Sequence, residues 1–590
     1  MRAKLLILFV TLSAIGYAQD TVLNRSVVVE RDFQPIISEA GKVNSTPQSV
    51  QADVPEAQVE YSDYVSAASR KEVEVSSLLS QPTRFTAPEE LHGVLRGGIG
   101  HPLTLFHFAY DVKDQKNNSL VLYANHNGQW GRRTMSESNL GFHFEHAMPR
   151  LSFYCGIKGE SLFYSKYGRY YDGTDGYNKN RGLTIKSFDD FLPEDKQTQW
   201  RGRIFFGLKS NPKEKVQYKI EVGYQMLEVA SIATEHQLRS EFKLNAKLPN
   251  ERHRLGLNLY MQNNFYTVDT ALIPENRFND RHNIRIEPFY AFQGRRFMIH
   301  AGVNLDVNLG KGQLLSSNKN VSFAPSPEVR FEAQLAPKWV TIYGKAEGRF
   351  GLGSLQSYLQ DNCYMEVIPC VTSHSVSSYT PIDAEVGFHL KPHKHLLLEM
   401  HGGYAYFMYS KSYVAFTEPY IYGHKHYILP GTFADYLSDY QRFKIGGQLF
   451  YHYRDIISIH LSGDYFAWKL QKIAAKARLE DIAKDISLTK GRVYDRPDWK
   501  IDLRIDGRID EHWTLYSDNH FEGSRWAITT NGEYKLPALI DMNLGAQYEF
   551  TKPHLAIFLQ LNNIICRRNH VLYGYQSYLI NGLAGVSWKF

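Results

Sequence analysis

Apolar and polar residues alternate one by one through most of the chain. In "VQYKIEVGYQM", Val216, Tyr218, Ile220, Val222, Tyr224 and Met226 take one parity, and Gln217, Lys219, Glu221, Gly223 and Gln225 take the other. The runs "WRGRIFFGL", "RLGLNLYM" and "LIDMNLGAQYEF" repeat the pattern. A period of two puts the two sets on opposite faces of a β-strand. The stretch "DWKIDLRIDGRID" sharpens the consequence: Trp499, Ile501, Leu503 and Ile505 share one face, and Lys500, Asp502, Arg504, Asp506 and Arg508 share the other. A soluble sandwich buries the aliphatic face and wets the charges. A membrane barrel turns the aliphatic face to lipid and the charges into a wet lumen.

The connections discriminate between the two. One set is short and polar, at 114–118, 147–150, 211–215, 248–253, 293–296, 336–338, 391–395, 453–455, 510–512 and 551–553. The other set is long, at about 164–194, 269–280, 310–320, 351–377, 411–437 and 471–494. Short turns on one side and long loops on the other are the layout of an outer-membrane barrel, and runs of about ten residues suffice to cross a bilayer when tilted. Ten short turns, with entry and exit on the same side, predict an all-β fold: a transmembrane antiparallel β-barrel of about 22 strands, within a range of roughly 20–24. Lys500, Asp502, Arg504, Asp506 and Arg508, together with Arg201 and Arg203, are then expected to face the lumen.

The ends of the chain add to this expectation. A cationic start, an apolar run from Leu5 to Ile15 and the small residues around Ala18 read as a secretory signal peptide over 1–18. The run is shorter than the roughly 20 residues a spanning helix needs. Residues 19–90 are polar and carry Pro35, Pro47, Pro55, Pro82 and Pro88, so a largely irregular segment is expected there, in the periplasm or inserted into the lumen. The barrel is expected over 91–590. Its last strand ends "LAGVSWKF", with Trp588 and the terminal Phe590 on one face, the form of terminal strand that barrel-assembly machinery recognises. Clustered Tyr404, Tyr406, Phe407 and Tyr409 are expected in an interfacial aromatic girdle.

Composition narrows the function classes. The chain has 39 Tyr, 33 Phe and 8 Trp but only 4 Cys, too few for a disulfide-stapled secreted scaffold of 590 residues. A net charge of +6, spread along the chain, argues against a nucleic-acid surface. No G-x-S-x-G, H-E-x-x-H, G-x-x-x-x-G-K-[ST] or C-x-x-C motif is present, so neither catalysis, a cofactor nor a metal site is expected. Cys363 and Cys370 in "NCYMEVIPC" are read as a local disulfide in preference to two independent thiols. His424 and His426 in "GHKHY" are read as polar surface in preference to metal ligands. The Tyr- and Gly-rich loop 164–182 suits stacking on a sugar or peptide. Residues 470–488 space Ile473, Ala477, Leu479, Ile482 and Ile486 for one face of a short helix.

Three segments carry a resemblance to a known family. "VLNRSVVVERDFQPIISEAGKVNSTPQ" resembles the leader of TonB-dependent-receptor-like outer-membrane proteins of Bacteroidota. "VYDRPDWKIDLRIDGRIDEHWTLYSD" and the C-terminal stretch from "LPALIDMNLGAQYEF" to "LAGVSWKF" resemble that group's closing strands. The resemblance covers the leader and roughly the last hundred residues, and the middle only in texture. It implies an outer-membrane barrel related to TonB-energised transporters. The segment before the first expected strand is far shorter than the folded plug of full transporters, so no recognisable full plug domain is present. Two functions follow. One is a receptor that binds or takes up a nutrient. The other is a non-transporting barrel subunit of an envelope assembly or secretion complex, with 19–90 tethering a periplasmic or envelope protein. Outer-membrane lipid and the assembly machinery are the partners common to both.

Overall fold

A computed structural model describes residues 92–590, apart from short stretches of which the longest are 171–195, 269–278, 311–320, 368–376 and 474–490. The expected strands form. The main sheet holds 24 strands, of which two, Arg525–Thr529 and Gly532–Leu536, make a hairpin outside the wall. The other 22 pair antiparallel, each with the next in sequence, and the ring closes where Asn581–Lys589 pairs with both Leu555–Asn562 and Gly93–His101. Closure leaves the ring without a free edge strand, although extended ends such as Val321–Pro327 pair on one side only.

All ten expected short turns join successive strands at one rim, where Phe590 also exchanges backbone hydrogen bonds with Gly93. Many strands outrun the bilayer: Val216–Val229 has 14 residues, His253–Val268 has 16 and Phe433–Tyr453 has 21. The excess lies at the opposite rim. Leu396–Ala415 and Phe433–Tyr453 stay paired out to Ala415↔Phe433, so both ends of the expected loop 411–437 are strand. The opposite rim also has tight connections, at Pro102, 130–134 and 230–232, which the expectation of long loops on that side did not include. Leu470–Ile473 continue the strand Ile457–Ile473 and are not helical, because their side chains alternate across the wall; the rest of 470–488 lies outside the described residues.

The alternation becomes two chemically distinct faces. Large apolar side chains stand exposed on one: Ile99, Leu140, Val386, Ile445 and Phe323 are each 59–72% accessible. Tyr404 takes its place on that face opposite Phe443, while Phe407 lies on the other and stacks on Tyr440. A β-bulge between Phe407 and Ser410 then redirects the strand, with Tyr409 at φ 54°.

Close approach at the seam depends on glycine. A Cβ on Gly585 would lie 2.1 Å from the Gly97 carbonyl oxygen, whereas one on Gly97 would meet nothing within 4 Å. Gly585→Ala is therefore expected to lower the fraction of folded barrel several-fold, and Gly97→Ala to leave it unchanged, measured as the heat-modifiable band on cold SDS gels.

Candidate functional site: a folded cap above an ion-paired wall

The polar face carries a ladder of opposite charges. Lys500 meets Glu522 at 3.2 Å, Asp502 meets His520 at 2.5 Å, and Arg504 reaches Asp506 at 2.8 Å and Asp518 at 3.5 Å. The register explains this: Lys500↔Glu522, Asp502↔His520 and Arg504↔Asp518 are directly opposed pairs. Arg203 pairs with Glu221 at 3.0 Å, and Arg201 lies 4.0 Å from Glu160. Arg508 sits apart, at the short-turn rim, donating to the carbonyls of Asp510 and Glu511.

Other rungs escaped the reading of single strands. Glu385 lies between Lys345 at 3.3 Å and Lys444 at 2.5 Å. Arg285 bonds both oxygens of Asp306, and Arg442 both oxygens of Asp383. His401 faces Asp464 at 2.7 Å. A signal was present for one of them, since Arg285 and Asp306 are mirrored across the short turn 293–296; Lys345 and Glu385 meet across a long connection, and the remaining pairs join strands two apart. Using it requires the exact register.

At the long-loop rim, residues 352–367 fold into a cap. The helix Leu355–Asp361 starts at Ser354, which shares a capping box with Ser357. Its first two free N–H groups are tied to the wall: Glu235, on the strand Ala233–Lys247, accepts from Leu355 N at 2.5 Å and Gln356 N at 3.3 Å. Such orphan donors at a helix start favour a carboxylate. Leu355 and Leu359 are fully buried among Leu162, Leu227, Val229 and Tyr164, all on strand ends of the wall.

After the helix, the chain joins the extended strand pair, with Glu366 N donating to the Phe433 carbonyl at 2.8 Å. Tyr364 stacks on Tyr575 with centroids 3.7 Å apart, Tyr167 meets Tyr575 edge-on at 4.8 Å, and the Tyr575 hydroxyl donates to the Gly431 carbonyl. Each such ring pair contributes about 0.5–1.5 kcal/mol beyond burial. Burial raises the hydroxyl pKa of Tyr167, Tyr364 and Tyr575, so all three stay neutral donors.

The hairpin Arg525–Leu536 packs beside this cap. Val414 pairs in parallel with Ile528, Thr417 and Thr530 share a 2.7 Å hydroxyl contact, and Arg525 donates to the His570 carbonyl. On its other side Arg492 and Tyr494 both reach Glu533. Burial pushes the neighbouring Asp495 carboxyl up to about 7, against the pull of Arg525.

Cys363 is buried in the cap; Cys370 lies outside the described residues. His424 also lies outside them, as does most of the loop 164–182, whose described start supplies Tyr164 and Tyr167 to the cap. Trp588 is 42% accessible on the apolar face and packs on Phe590 with centroids 4.6 Å apart.

Glu235 ties the first turn of the cap helix to the wall, beside the contacts of Tyr358 with Asp435 and Lys411. Glu235→Ala is expected to speed protease cleavage within 352–377 several-fold, read by mass spectrometry of the folded barrel, with strand cleavage unchanged. Equal cleavage in parent and variant would show that the clamp does not hold the cap.

No protein-family model matches the chain, and no curated protein matches it. Solved structures do. The siderophore receptor PirA from Acinetobacter baumannii is similar over 86% of this chain and 81% of its own, with a TM-score of 0.61 and 10% identity. A variant of the ferric enterobactin receptor PfeA from Pseudomonas aeruginosa, in complex with enterobactin, is similar over 86% of this chain and 82% of its own, with a TM-score of 0.60 and 10% identity. The FrpB iron transporter from Neisseria meningitidis is similar over 85% and 82%, with a TM-score of 0.61 and 8% identity. At these identities the similarity establishes the fold: this chain has a 22-strand barrel of the architecture seen in those outer-membrane receptors.

Proposed function

We propose that the chain is a TonB-dependent-receptor-like outer-membrane barrel that binds a nutrient ligand at its long-loop rim and mediates its uptake. The observation that carries this reading is the cap over an ion-paired polar face, on a wall of receptor dimensions. In this reading the exposed apolar face meets lipid and the polar face lines the lumen, so that Lys500, Asp502, Arg504, Asp506, Arg508, Arg201 and Arg203 face water inside. The long-loop rim is extracellular, and the buried tyrosines of the cap form the floor of the ligand vestibule. The C-terminal Trp588 and Phe590 serve as the assembly signal, and Cys363 and Cys370 close a disulfide within the cap loop.

The alternative is a non-transporting subunit of an envelope assembly or secretion complex. It is favoured by the density of the cap, in which Leu355, Leu359 and Tyr575 have no accessible surface, as a permanent seal would. A barrel of this strand number encloses a lumen that needs filling, and residues 19–90 supply a second stopper or a tether for a periplasmic protein.

Conductance of the purified mature protein in a planar bilayer tests the shared premise. The parent is expected to be electrically silent, and deletion of 353–367 to bring discrete current steps. Large, steady ohmic steps from the parent would make it a passive pore and contradict both readings. Energy-dependent ligand uptake by cells would then separate the receptor from the structural subunit.

A further inference from the structure

One rung of the ladder does not balance. On three consecutive strands, Arg281–Gln293, Phe297–Gly310 and Val321–Ala336, the side chains of Glu287, His300 and Glu328 bring a carboxylate oxygen, an imidazole nitrogen and a second carboxylate oxygen within 4.8 Å of one another. The carboxylates of the ladder described above each have a cationic partner within 4.0 Å. Here Arg330 serves two, holding Glu328 at 2.6 Å and Glu347 at 3.0 Å, and Glu287 forms no ion pair among the described residues. Glu328 is 94% buried. Clustering negative charge at such a site is unfavourable unless a cation compensates it.

We propose that Glu287, His300 and Glu328 form a binding site for a first-row divalent cation of the Zn²⁺ class. The donor set is one imidazole nitrogen and two carboxylate oxygens, which suits Zn²⁺ and its neighbours and not the all-oxygen shells of Mg²⁺ or Ca²⁺. Three protein ligands leave an open position for water or a ligand group. Ligand atoms around a tetrahedral Zn²⁺ at about 2.0–2.1 Å stand roughly 3.3–3.5 Å apart, so closing the site takes side-chain rotation and no movement of the wall.

The surroundings are shaped for this. Gly302 lies in register between Phe289 and Glu328, and a Cβ there would come within 3.0 Å of the Phe289 Cβ, so no side chain fills the space between the flanking strands. His300 is held in orientation by stacking on Phe289, with centroids 4.7 Å apart. Asn304, on the strand between those of Glu287 and Glu328, donates its amide to the Gly348 carbonyl at 3.1 Å. Arg330 keeps Glu347 when Glu328 turns to the metal. The inference stands on the wall geometry and holds under either reading of function.

The test uses the full-length barrel in detergent, stripped with chelator and dialysed against Zn²⁺ alone. One retained equivalent per chain is expected. Glu287→Gln and His300→Ala should each weaken retention at least tenfold, and Glu145→Gln on another rung should leave it unchanged, with folding of every variant checked by the heat-modifiable gel shift. X-ray absorption of the bound zinc should show nitrogen and oxygen donors without sulfur. No stoichiometric zinc in the folded parent, or zinc whose retention neither substitution alters, would overturn the site.

Discussion

The structure rests on the obligation to pair every main-chain N–H and C=O away from water. Within hydrocarbon each unpaired group costs several kcal/mol, so a sheet that crosses a bilayer has no affordable edge. The closing strand Asn581–Lys589 meets this demand by pairing eight residues with Leu555–Asn562 on one side and eight with Gly93–His101 on the other. Once the ring is closed, strand number sets lumen width, and alternation hands one side-chain set to the outside and the other to the inside. The close backbone contact at Gly585 and the meeting of Gly93 with Phe590 are local expressions of the same requirement.

Closure creates a second problem at the polar face. Charges there are partly shielded by neighbouring strands, and a shielded charge without a partner is unfavourable. The wall answers by placing opposite charges directly across from one another, as in Lys500↔Glu522 and Arg504↔Asp518. Such pairs gain little individually when exposed to solvent, but removing one partner leaves the other uncompensated. The cap is held by helix N–H groups donating to Glu235, by the Lys166–Glu366 ion pair at 3.9 Å, and by stacked tyrosines and buried leucines.

The wall was legible in the sequence because its signal is local. Residues two apart, such as Ile220 and Val222, report the face within a few positions, and short turns such as 211–215 mark where each strand reverses. The cap was not legible, because Glu235 and Leu355 meet across 120 residues and Tyr364 finds Tyr575 from a distant part of the sequence. No local period encodes such contacts. The helix expected over 470–488 failed at its start for a physical reason: Leu470–Ile473 fit a helical spacing, but they also complete the ladder to Phe433–Tyr453, with Leu470 opposite Tyr440 and Ile473 opposite Ser438. Glu287 and His300 sit an intermediate case. They flank the short turn 293–296, but its register sets His300 opposite Ala291, four residues from Glu287, and Glu328 enters only through the next strand.

The account depends most on which face of the wall meets lipid. Ile445 and Lys444 are adjacent residues of the strand Phe433–Tyr453, one 60% accessible on the apolar face and the other paired with Glu385 on the polar face. A fluorophore attached through Ile445→Cys or Lys444→Cys, with native thiols blocked, reports its surroundings in liposomes. Quenching of the first by brominated lipid chains and not by iodide in water, with the reverse for the second, is the predicted result. Quenching of the Lys444 probe by lipid, or equal quenching of both by iodide, would contradict a barrel that turns its ion pairs inward.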